Sequence, residues 1–254
     1  MKHAIRIAIG FIGLSSIYAA HGQVLLSDTF PGTVLDPSNW VASTPVAGAS
    51  VAVNNGLVLT NGGAVLTATA FPTSEQIDMS FEFTGTSYDS FKLVTRTNGV
   101  VTNNSGEFDS GIVVSFRMQS DPGDPAGTSN NVDLYDTNTP ISQTQLGLTT
   151  FEMTQGQVYN VRLDETPTEV SLYINDFSTP LLAAATTSSY GGLIGLNNRE
   201  GAAAGSGISE GSQVTIDSFS VTAIPESPSY AALLGLAAIG FAVAQRRCPR
   251  ARGI

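Results

Sequence analysis

Gln76-Ile77-Asp78-Met79-Ser80-Phe81-Glu82-Phe83-Thr84 alternates without a fault: Ile77, Met79, Phe81 and Phe83 fall on one face, Asp78, Ser80 and Glu82 on the other. Successive side chains of an extended chain point to opposite sides, so this segment is a strand with one buried and one solvated face. The same texture continues outward from it. Ser50 to Val53 and Leu57 to Leu59 flank Asn54-Asn55-Gly56, a hairpin signal in which Asn and Gly accept positive φ. Ala64 to Ala70 follows a second Asn-Gly-Gly turn. Phe91 to Thr97, Gly111 to Gln119, Val132 to Tyr135, Val158 to Asp164, Val170 to Phe177, Leu193 to Leu196 and Val214 to Val221 are further strands, with a turn at Glu165-Thr166-Pro167-Thr168. No amphipathic helix interrupts them. About a dozen strands without helices, over residues 23–223, predict an all-β fold: one two-sheet antiparallel sandwich.

Composition narrows the chemistry. The chain has 254 residues, with 11 Lys+Arg against 21 Asp+Glu and a net charge of −10. Residues 23–223 hold five of the cations (Lys92, Arg96, Arg117, Arg162, Arg199) and 20 of the acids, so this stretch carries 5 − 20 = −15. Such a body repels phosphate backbones and excludes nucleic acid as a partner. His3, His21 and Cys248 lie in the terminal segments. The body therefore has no histidine or cysteine for a catalytic triad, a zinc or haem site, or a disulfide.

The ends read as addresses. Residues 1–22 combine Lys2 and Arg6 with an apolar run from Ile7 to Ala20, then Ala20-His21-Gly22. This is a secretory signal, handled by the secretion translocon and cleaved between Gly22 and Gln23. In residues 224–254, Pro225-Glu226-Ser227-Pro228-Ser229 precedes an apolar stretch from Tyr230 to Ala244 and then Arg246, Arg247, Arg250 and Arg252. Fifteen helical residues reach about 22 Å against a hydrocarbon core of about 30 Å, a short transmembrane helix held with its arginines in the cytoplasm.

That tripartite tail resembles the PEP-CTERM sorting signal, through Pro225, Glu226, Pro228, Ser229, Leu233, Leu234, Gly235, Gly240, Arg246 and Arg247. Ser227 interrupts the contiguous Pro-Glu-Pro usual in that family. The resemblance implies recognition and cleavage near Glu226 by an exosortase, a membrane transpeptidase. The chain would then be transiently tail-anchored and delivered to the cell envelope, surface or extracellular matrix. A second resemblance lies in the body. Leu26-Ser27-Asp28-Thr29-Phe30 with Leu35-Asp36-Pro37-Ser38-Asn39-Trp40, and later Val214-Thr215-Ile216-Asp217-Ser218-Phe219-Ser220-Val221, are similar to the opening and closing segments of concanavalin A-like sandwiches, the laminin-G and glucanase-like domains. It implies a closing strand beside the first one. Immunoglobulin-like and other jelly-roll sandwiches stay open alternatives.

Candidate sites are sparse. Glucanase-like families place E-x-D-x-x-E carboxylates on one strand, and Glu75, Asp78 and Glu82 are the nearest stretch here. Glu75 and Asp78 fall on opposite faces, and Asp78 with Glu82 has the pattern of a solvated face. No catalytic residue is assigned. The Gly/Pro-rich segment bearing Asp121, Asp124 and Asp133 offers oxygen donors for calcium, with a plain loop as the competing reading. Among Trp40, Tyr88, Tyr135, Tyr173 and Tyr190, Tyr88 and Tyr135 are the better exposed candidates for stacking on a sugar, whereas Trp40 reads as a packing residue. The resulting expectation is a non-catalytic exported surface or matrix protein with extracellular polysaccharide as ligand. Its rivals are a glycoside hydrolase or lyase on the same fold, and a purely structural adhesion protein.

Overall fold

The computed structural model describes residues 22–45, 48–85, 89–101, 107–118, 130–139, 142–199 and 213–224. Val24–Ile224 forms one compact unit. Its strands are β1 (Val24–Asp28), β2 (Trp40–Ser43), β3 (Ser50–Val53), β4 (Leu57–Thr60), β5 (Ala64–Thr67), β6 (Glu75–Phe83), β7 (Asp89–Thr97), β8 (Gly111–Met118), β9 (Asn131–Thr139), β10 (Ser142–Thr150), β11 (Val158–Thr166), β12 (Glu169–Ile174), β13 (Leu182–Ala185), β14 (Leu193–Arg199) and β15 (Gln213–Ala223). No described residue is helical. The expected two-sheet antiparallel sandwich is the observed architecture.

An eight-stranded sheet runs β13-β12-β11-β6-β15-β4-β3, with β1 also on β15, and a seven-stranded sheet runs β10-β9-β8-β7-β14-β5-β2. Every named pairing is antiparallel. The closing strand does return beside the first, with Ser27 opposite Ser220 and Asp28 opposite Phe219. Strands β2, β10 and β13 escape the sequence pattern because they are short or poor in large apolar residues. They lie at or next to sheet edges, where one flank has no neighbour to select for burial.

β6 lies between β11 and β15, and its buried face is the alternating set read from the sequence, extended by one step to Glu75. Phe81 is the hub, with ring centroids 4.8 Å from Phe91, 5.0 Å from Phe116, 5.4 Å from Phe83 and 5.7 Å from Tyr159. Phe91 and Phe116 belong to the other sheet, so this cluster joins the two layers. Each such aromatic pair contributes about 0.5–1.5 kcal/mol beyond simple burial. The opening segment is tied by Asp28, which accepts the Phe30 N–H at 2.7 Å and Trp40 Nε1 at 2.9 Å. Trp40 is buried between Phe30 and Phe219, a packing role as expected. In the β3–β4 hairpin the positive φ falls on Asn55, at 51°.

Strand β7 carries a bulge opposite Leu193–Gly195 of β14, with Arg96 at φ 52°. The irregularity turns the consecutive residues Thr95 and Arg96 towards the gap between the sheets. There they meet Glu165 of β11.

Candidate functional site

Alternation along β7, β8 and β9 sends Phe91, Leu93, Val114, Phe116, Val132 and Leu134 into the core. The intervening residues occupy the outer face of the seven-stranded sheet. Register aligns them in rows across the strands. Asn197, Lys92, Ser115 and Asp133 form one row, and Gly195, Val94, Val113 and Tyr135 form the next. The second row is apolar and makes a small cluster with Ala64 and Phe108, separate from the main core. Gly195 is required there: a Cβ on it would lie 2.2 Å from Phe108 Cζ. The polar row is buried too, which is unusual for an outer sheet face.

Its charges are compensated locally. Lys92 Nζ donates to Glu107, which arrives from the segment preceding β8, and lies 5.5 Å from the Tyr135 ring centroid. Arg117 Nη2 is 3.1 Å from Asp133 Oδ2. Burial raises the Asp133 carboxyl above its ordinary range, against the opposing pull of Arg117, Lys92 and a hydrogen bond with Gln145. Lys92, Glu107, Tyr135, Thr137 and Gln143 enclose a space of about 10 Å³, at the lower limit for one water. Arg117, whose side chain is 33% exposed, and exposed Gln143 and Gln145 form the open margin. Two carboxylates thus act on one ammonium, and the proton affinity of one of them is raised.

The residues singled out from the sequence are dispersed. Asp133 sits on β9 and is committed to Arg117. Tyr135 is corrected: it is 6% exposed within the satellite cluster, because it lies in phase with Asp133 on a longer strand than the sequence suggested, not beside a turn. Tyr88, Asp121, Asp124, the motif Pro225, Glu226, Pro228 and Ser229, and Arg246, Arg247, Arg250 and Arg252 lie outside the described residues. Gly22 and Gln23 immediately precede β1. Among the described residues no group of three or more acidic, His or Cys side chains is placed to hold a metal ion. Asp78 faces outward and accepts Arg162 Nε at 2.7 Å.

Glu75 turns inward, opposite Glu165. The pair is enclosed with Arg96, whose Nε lies 3.6 Å from Glu165 Oε1, while Thr95 Oγ1 donates to the same oxygen at 2.6 Å. Burial, then the neighbouring Glu165 charge, push Glu75 up to about 8. Sequence reasoning did not assign Lys92, Glu107 or Arg117 to a site, because they come from three segments. The inward turn of Glu75 had a signal in its being in phase with Ile77, Met79 and Phe81.

No family model matches the chain, and no curated protein matches it. Solved structures do. The carbohydrate-binding module CBM66 from Bacillus subtilis is similar over 73% of this chain and 96% of its own, with 9% identity and TM-score 0.52. A glycosyl hydrolase family 16 protein from Mycobacterium smegmatis matches over 78% of this chain and all of its own, with 10% identity and TM-score 0.55. The exoplasmic/lumenal domain of VIP36, solved in a Ca2+/Man3GlcNAc-bound form, matches over 78% of this chain and 92% of its own, with 13% identity and TM-score 0.57. At such identities the likeness establishes the shared fold, that of concanavalin-like lectins and glucanases. The expectation of a protein that is no enzyme is corrected by the same finding: glycoside hydrolases recur among the matched structures.

Proposed function

We propose that this chain is an exported glycoside hydrolase that cleaves an extracellular polysaccharide at the outer face of the seven-stranded sheet, with Asp133 as proton donor and Glu107 as its partner carboxylate. The observation that carries this reading is the ion pair of Glu107 with Lys92 in the same sheet row as Asp133, one strand removed across Ser115, with the Asp133 carboxyl raised by burial. The recurrence of glycoside hydrolases among structures of this fold supports it.

Cleavage needs a proton on the departing glycosidic oxygen and an electron pair at the anomeric carbon. A general acid gives its proton to the leaving oxygen, and burial shifts the Asp133 carboxyl in the direction that role needs. Glu107 then takes a proton from the attacking water, and its ion pair with Lys92 fixes the orientation of the carboxylate. Arg117 tethers Asp133 at the open margin, where Gln143 and Gln145 make first contact with the chain. No calcium is assigned, because Asp133 is engaged by Arg117.

Export rests on the signal ending at Gly22, with cleavage before Gln23. Sorting rests on the exosortase-type motif from Pro225, with the tail arginines as the membrane orientation device. Mass spectrometry of the mature protein should find a C-terminus close to Glu226; an intact chain ending at Ile254 would defeat the sorting half. The activity is tested by reducing-end release from uncharged β-glucans and galactans. The expected result is release by wild type and none by Glu107→Gln. Binding without release by the wild-type protein would overturn the hydrolase reading.

A further inference from the structure

On the outer face of the eight-stranded sheet, register lines up Tyr173, Arg162, Asp78, Ser220 and Ser27 on β12, β11, β6, β15 and β1. Asn160, Ser80 and Ser218 form the adjacent row. Apart from Tyr173, these residues floor a groove of about 270 Å³, which adjoins a second depression of about 300 Å³ along Ser27, Asp28 and Thr29. Phe177 stands on its rim, 40% exposed, with its ring 4.5 Å from the Arg162 guanidinium. Asp78 holds that guanidinium at 2.7 Å and also accepts Gln76 Nε2 at 2.6 Å. The aromatic plate is therefore backed by a fixed group. Ser80 and Ser218 hydroxyls are hydrogen-bonded to each other at 2.7 Å.

We infer that this groove is a second carbohydrate-binding surface, remote from the Asp133 face, taking an uncharged pyranose chain. The inference rests on the reading that the protein engages glycans, and adds both a site and a substrate class. A pyranose presents an apolar face ringed by hydroxyls, and the groove presents one aromatic face above a floor of hydroxyl, amide and carboxylate groups. Charge sets the class. Arg162, the cation among the residues lining the groove, is ion-paired with Asp78, so the lining leaves no free cation for an anionic sugar. With 20 acids against five cations in residues 23–223, a uronic or sulfated polysaccharide meets repulsion.

The mature full chain is tested for retention on insoluble uncharged β-1,3-glucan and on alginate beads, alongside cleavage of a short soluble β-1,3-gluco-oligosaccharide. Phe177→Ala should weaken retention on the glucan about five- to tenfold, as loss of one aromatic contact does, and leave oligosaccharide cleavage unchanged. Ser220→Lys, which fills the groove floor, should do the same. Wild type should pass alginate unretained. If both variants are retained like wild type while Glu107→Gln stops cleavage, the second surface is overturned and the hydrolase reading stands. Equal retention on alginate overturns the substrate class. A wild-type chain that neither binds nor cleaves any uncharged glucan removes both readings.

Discussion

Asp133 and Glu75 are both carboxyls lifted above their ordinary range by burial, and each has an arginine and a second carboxylate nearby. The fold gives them opposite surroundings. Glu75 lies with Glu165 between the sheets, both nearly inaccessible, and one oxygen of each has no hydrogen-bond partner. Asp133 is buried too, but on an outer face, with one-third-exposed Arg117 at its margin. A raised proton affinity therefore marks burial, and the face of the sheet separates the proposed acid from a structural one. The two clusters should separate under mutation, one governing rate and the other stability.

The largest expected effect is on rate. Asp133→Asn should lower polysaccharide hydrolysis about 10²- to 10⁴-fold, the range for losing a general acid, with the melting temperature nearly unchanged. A fall in both together would merge the clusters into one structural network. Glu165→Ala should show the reverse. It leaves Arg96 buried without its carboxylate and should cost about 3–5 kcal/mol in denaturant unfolding, while activity per folded molecule persists.

Glu75 gives the pH test. Its folded value of about 8 exceeds the ordinary glutamate value of 4.5, so across that window the folded state binds more protons than the unfolded one. Stability should then fall as pH rises, by up to about 1.4 kcal/mol per unit, and be insensitive to Glu75 below the lower value or above the upper. Glu75→Gln should flatten that slope in unfolding titrations; an unchanged slope would place the linkage elsewhere. The smallest effect concerns Arg117. Its charge opposes the upward shift of Asp133, so Arg117→Gln should raise that carboxyl further. The basic limb of the rate profile should move to higher pH, and a downward move would contradict Asp133 as the acid.

The strand from Gln76 to Thr84 was legible because one face of a central strand is chosen by burial alone, and alternation records that choice. The closing strand beside the first came instead from the resemblance of the opening and closing segments to concanavalin A-like sandwiches, and Trp40 read as packing from its place after that opening segment. The site was not legible in this way. Lys92, Asp133 and Arg117 alternate correctly with apolar neighbours, but alternation cannot tell a solvated face from one covered by Phe108. Glu107 follows no period, and only the register of β7, β8 and β9 brings it together with the others. Tyr135 misled because aromatic residues near polar sequence suggest exposure, while it belongs to the buried apolar row with Val94 and Val113.

The most direct measurement is the position of a bound glycan in crystals of Glu107→Gln grown with a β-1,3-gluco-oligosaccharide. The account requires sugar rings along the Lys92–Asp133 row, with a glycosidic oxygen within hydrogen-bond distance of the Asp133 carboxyl. A glycan bound elsewhere on the sandwich, with the Asp133 face empty at saturating oligosaccharide, would contradict it.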